Sequence, residues 1–220
     1  MVDVAGARVV AVLTRAPSSG GKSRLFAALG CAADAGLLSA LLLDTLDGAA
    51  LPGVARVVVV TPSSARGEIV SLVPPDVGVI PQVEGDLGQR MRGAFASLFE
   101  HGASAVVLIG SDVPDITPAP IDTAFQTLER EPDALVLGPA ADGGYYLIGA
   151  ARVPEVFDGI EWGSPEVLAQ TKDAATASGI RVSLLDVLGD VDTAVDLRRA
   201  AAGGMARRTA AWVLMKDGRQ

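Results

Sequence analysis

Apolar, β-branched runs recur along this chain, each followed by turn residues and then by a stretch of helical periodicity. The first run covers 8–14; a Pro/Ser/Gly loop follows it, and a helical pattern opens near Lys22. Short apolar runs bounded by turn signals predict strands buried on both faces. The same pattern predicts strands at 54–61, 77–81, 105–109 and 134–137, with helices at 65–72, 87–100 and 118–130 between them. The Ala/Leu-rich stretch 32–50, interrupted by Asp34, Gly36, Asp44 and Asp47, reads as a helix packed into the core. Strands alternating with helices predict a mostly parallel sheet covered on both faces.

Beyond Leu137 the rhythm changes. Residues 138–144 form a turn-rich loop, and the short strand expected at 145–150 has no regular crossover helix beside it, so the second half of the sheet is expected to be mixed. A helix at 165–178, a strand at 181–185, a helix after Asp192 and a small terminal helix within 203–220 complete the pattern. The chain has no internal repeat and no linker long enough to separate domains. The expected fold class is α/β, a single domain over 1–220 with a Rossmann-like, mixed but mostly parallel sheet flanked by helices.

Composition narrows the functions. With 220 residues, 50% of them apolar, the chain can bury a full core. A net charge of -8 argues against nucleic acid as a partner, because backbone phosphates are held by clustered Lys and Arg. Cys31 and His101 are the sole cysteine and histidine, so a disulfide framework, a Cys/His zinc site and a His-centred triad all lack parts. His101 is expected to end the helix at 87–100, where the dipole favours it. No charged leader with a long apolar core opens the chain, and no apolar run approaches the roughly 20 residues of a membrane span. A soluble cytoplasmic protein with no membrane partner is expected, with a homodimer left open as its assembly.

Five segments carry candidate chemistry. The run 105–109 ends in Gly110-Ser111-Asp112-Val113-Pro114, which delivers a carboxylate at the carboxyl end of a buried strand, the ligand-binding edge of an α/β sheet. Asp112 there holds a cation or caps the next segment. The loop Thr14-Arg15-Ala16-Pro17-Ser18-Ser19-Gly20-Gly21-Lys22-Ser23-Arg24 places a glycine turn and three cations at a helix start, a cradle for phosphate. Gly21-Lys22-Ser23 matches the end of a P-loop, but Ala16 stands where the first glycine belongs, so that match is incomplete. In Gln82-Val83-Glu84-Gly85-Asp86-Leu87-Gly88-Gln89-Arg90, glycines would admit a flat ligand close to the backbone while Asp86 caps a helix.

Asp190 and Asp192, just before a helix, can face a crevice and one of them can share a divalent ion with Asp112. Few hard oxygen ligands suit Mg²⁺, with Mn²⁺ as its substitute, leaving sites for water and phosphate. In Asp142-Gly143-Gly144-Tyr145-Tyr146, the carboxylate would accept acceptor hydroxyl hydrogens while Tyr145 supplies a wall; a packed hairpin turn is the plainer reading. Trp162 would close that pocket or belong to the core.

Together these segments resemble the DUF2064, or rSAM/selenodomain-associated, transferases of the GT-A fold superfamily of nucleotide-diphospho-sugar transferases. The resemblance runs from the Arg15 loop to Leu197 and rests on 85–91, 110–114, 138–140, 142–149 and 190–193. The family's first loop has a lysine where this chain has Arg15, a proline at Ser19 and one more residue before Lys22; Val113 replaces a common cysteine. The resemblance implies a nucleotide-binding half at about 1–115, an acceptor-binding half at about 116–202 and a helical tail at 203–220. It implies nucleotide contacts at Thr14, Arg15, Gly20, Gly21, Lys22, Gln82, Gly85, Asp86, Gly88, Arg90 and Ser111, and acceptor contacts at Asp142, Gly143, Gly144, Tyr145 and Trp162. Metal ligation falls to Asp112 and Asp192.

Two reactions suit such a site. In a nucleotidyltransferase, Mg²⁺ on Asp112 and Asp192 orients the α-phosphate of a nucleoside triphosphate, Lys22, Arg24 and Arg15 neutralise departing pyrophosphate, and a small phosphorylated acceptor attacks. In a glycosyltransferase, the metal holds the diphosphate of a nucleotide-sugar and Asp142 serves the acceptor hydroxyl. The basic first loop resembles that of phospholactate guanylyltransferases and answers a triphosphate's charge, which favours the first. A non-catalytic nucleotide- or partner-binding module is the remaining alternative.

Overall fold

A computed structural model describes residues 4–218. Its centre is a seven-stranded sheet in the order β3-β2-β1-β4-β6-β5-β7, made of β1 (Arg8–Arg15), β2 (Val54–Thr61), β3 (Gly78–Pro81), β4 (Ala105–Gly110), β5 (Leu135–Pro139), β6 (Tyr145–Ala150) and β7 (Val182–Leu184). The first four strands are parallel, β6 runs antiparallel to both β4 and β5, and β7 pairs parallel with β5. The sheet is therefore mixed where the rhythm of the sequence changes.

Eight helices among the described residues surround it: α1 (Ser23–Ala28), α2 (Ala35–Gly48), α3 (Arg66–Leu72), α4 (Leu87–Glu100), α5 (Pro118–Arg130), α6 (Val167–Ala177), α7 (Ala194–Ala202) and α8 (Arg207–Asp217). Alternation along β1 feeds both faces. Val10 and Val12 pack with Leu42 and Leu46 of α2, Ile69 of α3 and Phe125 of α5, whereas Val9 and Ala11 pack with Phe95 and Leu98 of α4 and with Phe157. Phe95 and Phe125 are fully buried, and each burial removes enough apolar surface to contribute about 1.5–3 kcal/mol. None of the described helices is long and apolar enough to cross a membrane.

A third, smaller apolar cluster lies apart from the sheet. Leu25 and Phe26 of α1, Leu37 and Leu41 of α2, Val191, Leu197 and Ala200 of α7, and Ala206 and Trp212 around α8 pack together. Asp44, buried in the middle of α2, accepts from the backbone N–H of Arg208 at 3.1 Å and of Thr209 at 2.8 Å, and so caps the first turn of α8. Asp34 at the start of α2 pairs with Lys216 on α8 at 3.2 Å.

Element boundaries differ from expectation for local reasons. The helix expected from 32 starts at Ala35, because Asp34 is its N-cap and accepts from Leu37 N–H. The helix expected over 165–178 covers Val167–Ala177, after turns through Ser164 and Pro165. The strand expected at 181–185 shortens to Val182–Leu184 at the sheet edge. Thr193, rather than Asp192, caps α7 through a reciprocal pair with Asp196, so the Asp192 carboxylate is available elsewhere. The tail read over 203–220 forms α8 and is described as far as Gly218; 219–220 lie outside the described residues.

Candidate active site

β1 connects onward to β2 on one side and lies beside β4 on the other, so the chain reverses its winding direction between β1 and β4. A crevice opens at the carboxyl ends of strands at such a point. Here it is a cavity of about 670 Å³ lined by Thr14, Arg15, Gly20, Gly21, Lys22, Arg24, Gln82, Arg90, Ser111, Asp112, Asp142, Gly144, Tyr145, Trp162, Asp190 and Asp192, among others. The two strand ends are tied together: the hydroxyls of Thr14 and Ser111 hydrogen-bond at 3.0 Å, and Ser111 N–H donates to the Leu13 carbonyl at 3.1 Å.

Asp112 lies two residues past the end of β4. Its backbone carbonyl accepts from Val191 N–H at 2.9 Å, which brings the acidic segment 190–192 alongside. Val191 itself is buried in the small cluster, so the residues either side of it project toward Asp112. Carboxylate oxygens of Asp112, Asp190 and Asp192 lie within 4.8 Å of one another, each residue half-buried. Three hard oxygen donors at this spacing fit a divalent cation. Both Asp190 and Asp192 thus join Asp112, where the sequence reading asked for one of them.

Lys22 faces this triad. Its Nζ donates to Asp112 Oδ2 at 2.8 Å and to Asp192 Oδ1 at 2.7 Å. Burial opposes the ammonium charge, but the charges and hydrogen bonds of Asp112 and Asp192 outweigh it and hold the lysine above its ordinary pKa. Asp190 is pushed up to about 6, by burial first and then by the negative charges of Asp112 and Asp192. The turn that delivers Lys22 runs through three positive φ values, 70° at Gly20, 138° at Gly21 and 50° at Lys22. Glycine takes these freely; for lysine the left-handed conformation costs about 1–2 kcal/mol. The helix that follows, α1, has only six residues, so the side-chain cations rather than a long helix dipole dominate the positive side. Arg15, the last residue of β1, and Arg24, in α1, line the cavity from either end of that loop.

Gln82 follows β3, and its side-chain NH₂ donates to the carbonyls of Thr14 at 2.9 Å and Val59 at 2.8 Å. Both amide hydrogens are engaged, which fixes the amide and leaves its oxygen as an acceptor on the cavity wall. Arg90 Nε donates to the Gly85 carbonyl at 2.9 Å, orienting the guanidinium beside the cavity.

The rest of that segment has structural work. Asp86 caps α4 in a reciprocal pair with Gln89, and Gly85 sits at φ 128° where an added Cβ would meet the Gln89 side chain. Gly88 is buried with Trp162 stacked on it, a Cβ there lying 2.7 Å from the indole, so this glycine admits an indole rather than a flat ligand. Gly85, Asp86 and Gly88 are not among the residues that line the cavity, whereas Leu87 between them is.

On the opposite wall Asp142 accepts from Gly144 N–H at 2.9 Å in the turn between β5 and β6. Gly143 is packed so that a Cβ would strike the Pro165 carbonyl, which closes the turn onto the segment after Trp162. Tyr145 lines the cavity with its hydroxyl 3.9 Å from Met91 Sδ; burial raises its pKa, against a weaker opposing hydrogen bond from Thr171. Trp162 both lines the cavity and packs on the apolar face of the sheet, so the two readings offered for it coexist. Thr61 and Val167 also line the cavity without any motif having marked them. His101 caps the end of α4, its Nδ1 2.7 Å from the Ser97 carbonyl, and Cys31 is a free, half-buried thiol.

Comparison with known proteins adds a framework to this geometry. Residues 45–164 match the family described as "Uncharacterized protein conserved in bacteria (DUF2064)". The chain is 31% identical over 211 residues to the 3-phospho-D-glycerate guanylyltransferase of Phenylobacterium zucineum (strain HLK1), covering 91% of this chain and 93% of that protein. It is 32% identical over 190 residues to the phosphoenolpyruvate guanylyltransferase of Streptomyces coelicolor, covering 80% and 82%. Among solved structures, a Desulfovibrio desulfuricans G20 protein ascribed to the nucleotide-diphospho-sugar transferases superposes with a TM-score of 0.84 at 29% identity, covering 99% of this chain and 96% of that one.

Proposed function

This chain belongs to the DUF2064 family, and from that premise we propose that it is a nucleotidyltransferase that moves NMP from a nucleoside triphosphate to a small phosphorylated acceptor. Pyrophosphate is the second product. The observation that carries this reading is the convergence, in one cavity at the ends of β1 and β4, of three carboxylates with Lys22, Arg15 and Arg24. The relatives named as guanylyltransferases support GTP as the donor and a phosphorylated three-carbon acid as the acceptor class. A nucleotide substrate also supports a cytoplasmic setting.

Asp112, Asp190 and Asp192 would hold the divalent cation, with Mg²⁺ favoured by the hard, all-oxygen donor set. When bound, such an ion supplies charge neutralisation and orientation to the phosphates. The protein's own residues do the rest. Gln82 and Arg90 position the nucleoside, and the Gly20–Gly21 turn brings the chain close to the phosphate groups. Lys22, Arg15 and Arg24 offset the negative charge that grows on the β-phosphate oxygens as the α–β P–O bond breaks. An acceptor phosphate oxygen attacks the α-phosphorus from the side of Asp142, Gly144 and Tyr145, forming the new P–O bond while pyrophosphate leaves with the electron pair. Gly143 supports that wall from behind. No proton needs to be removed from an acceptor already ionised at neutral pH, which accords with a site that lacks histidine.

The test is pyrophosphate release with GTP, Mg²⁺ and either 3-phosphoglycerate or phosphoenolpyruvate. Acceptor-dependent release supports the reading. The resemblance to a nucleotide-diphospho-sugar transferase favours a second reading, in which Asp142 orients a sugar acceptor. Stabilisation by GDP-sugars with no response to GTP would select it, and no response to any nucleotide would select a binding module without catalysis.

A further inference from the structure

Two oxygens of the carboxylate cluster that would hold a divalent cation are bonded to an ammonium. Lys22 Nζ lies 2.8 Å from Asp112 Oδ2 and 2.7 Å from Asp192 Oδ1, and Asp190 presents an oxygen to the same cluster. An ion bound to these same oxygens at about 2.1 Å would compete with Nζ for them. Ammonium and ion exclude one another there. Resting on the nucleotidyltransferase reading, we infer that Lys22 is a built-in competitor for the divalent cation, displaced when a polyphosphate draws its ammonium off the aspartates.

Three observations carry this. Lys22 is the one non-glycine residue with positive φ among the described residues, and that costly conformation occurs where the side chain reaches both aspartates. The lysine side chain is 17% exposed although its aspartate partners are 32% and 43% exposed, so a metal that takes the same oxygens must displace a largely buried ammonium. The lysine stem is flexible and Lys22 shares its cavity with Arg15 and Arg24, so a polyphosphate drawn to these cations offers the ammonium new oxygens. Metal and polyphosphate therefore favour each other's binding, and by linkage the coupling is reciprocal. The nucleotide-free protein is kept from collecting divalent ions at its most acidic point.

The test titrates the nucleotide-free protein with Mn²⁺, reading free ion by electron paramagnetic resonance. Lys22→Met keeps the length of the side chain and removes its charge. Mn²⁺ should bind this variant about tenfold more tightly or better than the unmodified protein, the equivalent of one charge-assisted hydrogen bond. Asp112→Asn in the same background should remove the gain. Equal or weaker Mn²⁺ binding by Lys22→Met, with Asp112→Asn still abolishing it, overturns the competitor and leaves the metal site standing. Mn²⁺ binding that ignores Asp112→Asn in both backgrounds overturns the metal site and the competitor together.

A second measurement needs no variant. The chain has three lysines, Lys22, Lys172 and Lys216, so side-chain ¹⁵N ammonium signals can be followed individually. The Lys22 signal should move when GTP and Mg²⁺ are added together, at Mg²⁺ concentrations that leave it in place without nucleotide. A Lys22 signal unmoved by GTP with Mg²⁺ overturns the inference.

Discussion

The sheet and the small apolar cluster beside it hold opposite halves of one site. Asp112 lies two residues past the end of β4, a strand flanked by β1 and β6 and packed on both faces. Lys22, Asp190 and Asp192 instead hang from loops whose anchors, Leu25, Phe26 and Val191, belong to the cluster formed by α1, α2, α7 and α8. One carboxylate is thus as rigid as the fold, while its partners are as rigid as a few helices packed on Trp212. Stability and function should come apart when the two regions are perturbed separately.

The strongest break is at the sheet side. Asp112→Asn should lower pyrophosphate release by about three orders of magnitude while the thermal unfolding midpoint barely moves, since the side chain contacts Lys22 rather than the core. Turnover within a few-fold of the original would remove Asp112 from the chemistry.

Next come paired truncations. Phe125→Ala, inside the sheet core, should cost about 3–5 kcal/mol of global stability in denaturant titrations, with the nucleotide KM of the remaining folded protein unchanged. Trp212→Ala should leave the amides of β1 and β4 protected from hydrogen exchange while those at 20–26 and 189–193 exchange faster and KM rises. Uniform loss of protection across the sheet in the Trp212 variant would mean that the two regions fold as one.

A smaller effect is expected at the cap that fastens α8. Asp44→Asn replaces a carboxylate that accepts two backbone N–H groups, and should cost about 1–2 kcal/mol, read as faster exchange in α8. The smallest concerns pH. Burial works against the Asp34 carboxylate, but the Leu37 N–H, Lys216 and Trp212 hydrogen bonds outweigh it and lower its pKa below 3.8. Its contribution is present above the ordinary carboxylate pKa and is lost as pH falls through the lowered value. Acidification toward pH 3 should loosen α8 by about a few tenths of a kcal/mol, and Lys216→Met should reduce that dependence.

The sheet side was legible because its signals are local. An apolar run, a glycine and an aspartate before Val113-Pro114 are adjacent in the chain, and the strand and helix periods around them are read in short windows. The cluster side was legible only as fragments. Lys22 meets Asp112 across 90 positions and Asp192 across 170, a pairing that no spacing rule predicts. Asp44 looked like an interruption in an apolar helix until α8, 164 positions away, supplied the N–H groups it accepts. Gly88 had a reason visible only once Trp162 was packed on it. The tail read as a plain terminal helix, although Trp212 makes it a brace for the lysine turn and the acidic segment.

The immobilised amide of Gln82 has a last consequence, for selectivity. With both hydrogens committed to main-chain carbonyls, the remaining oxygen gives this amide one fixed polarity that cannot invert to suit whatever arrives. A heterocycle edge bearing N–H would be welcomed at that point, and an edge bearing only lone pairs would be repelled. Discrimination among bases would then come from a group that the backbone itself forbids to turn.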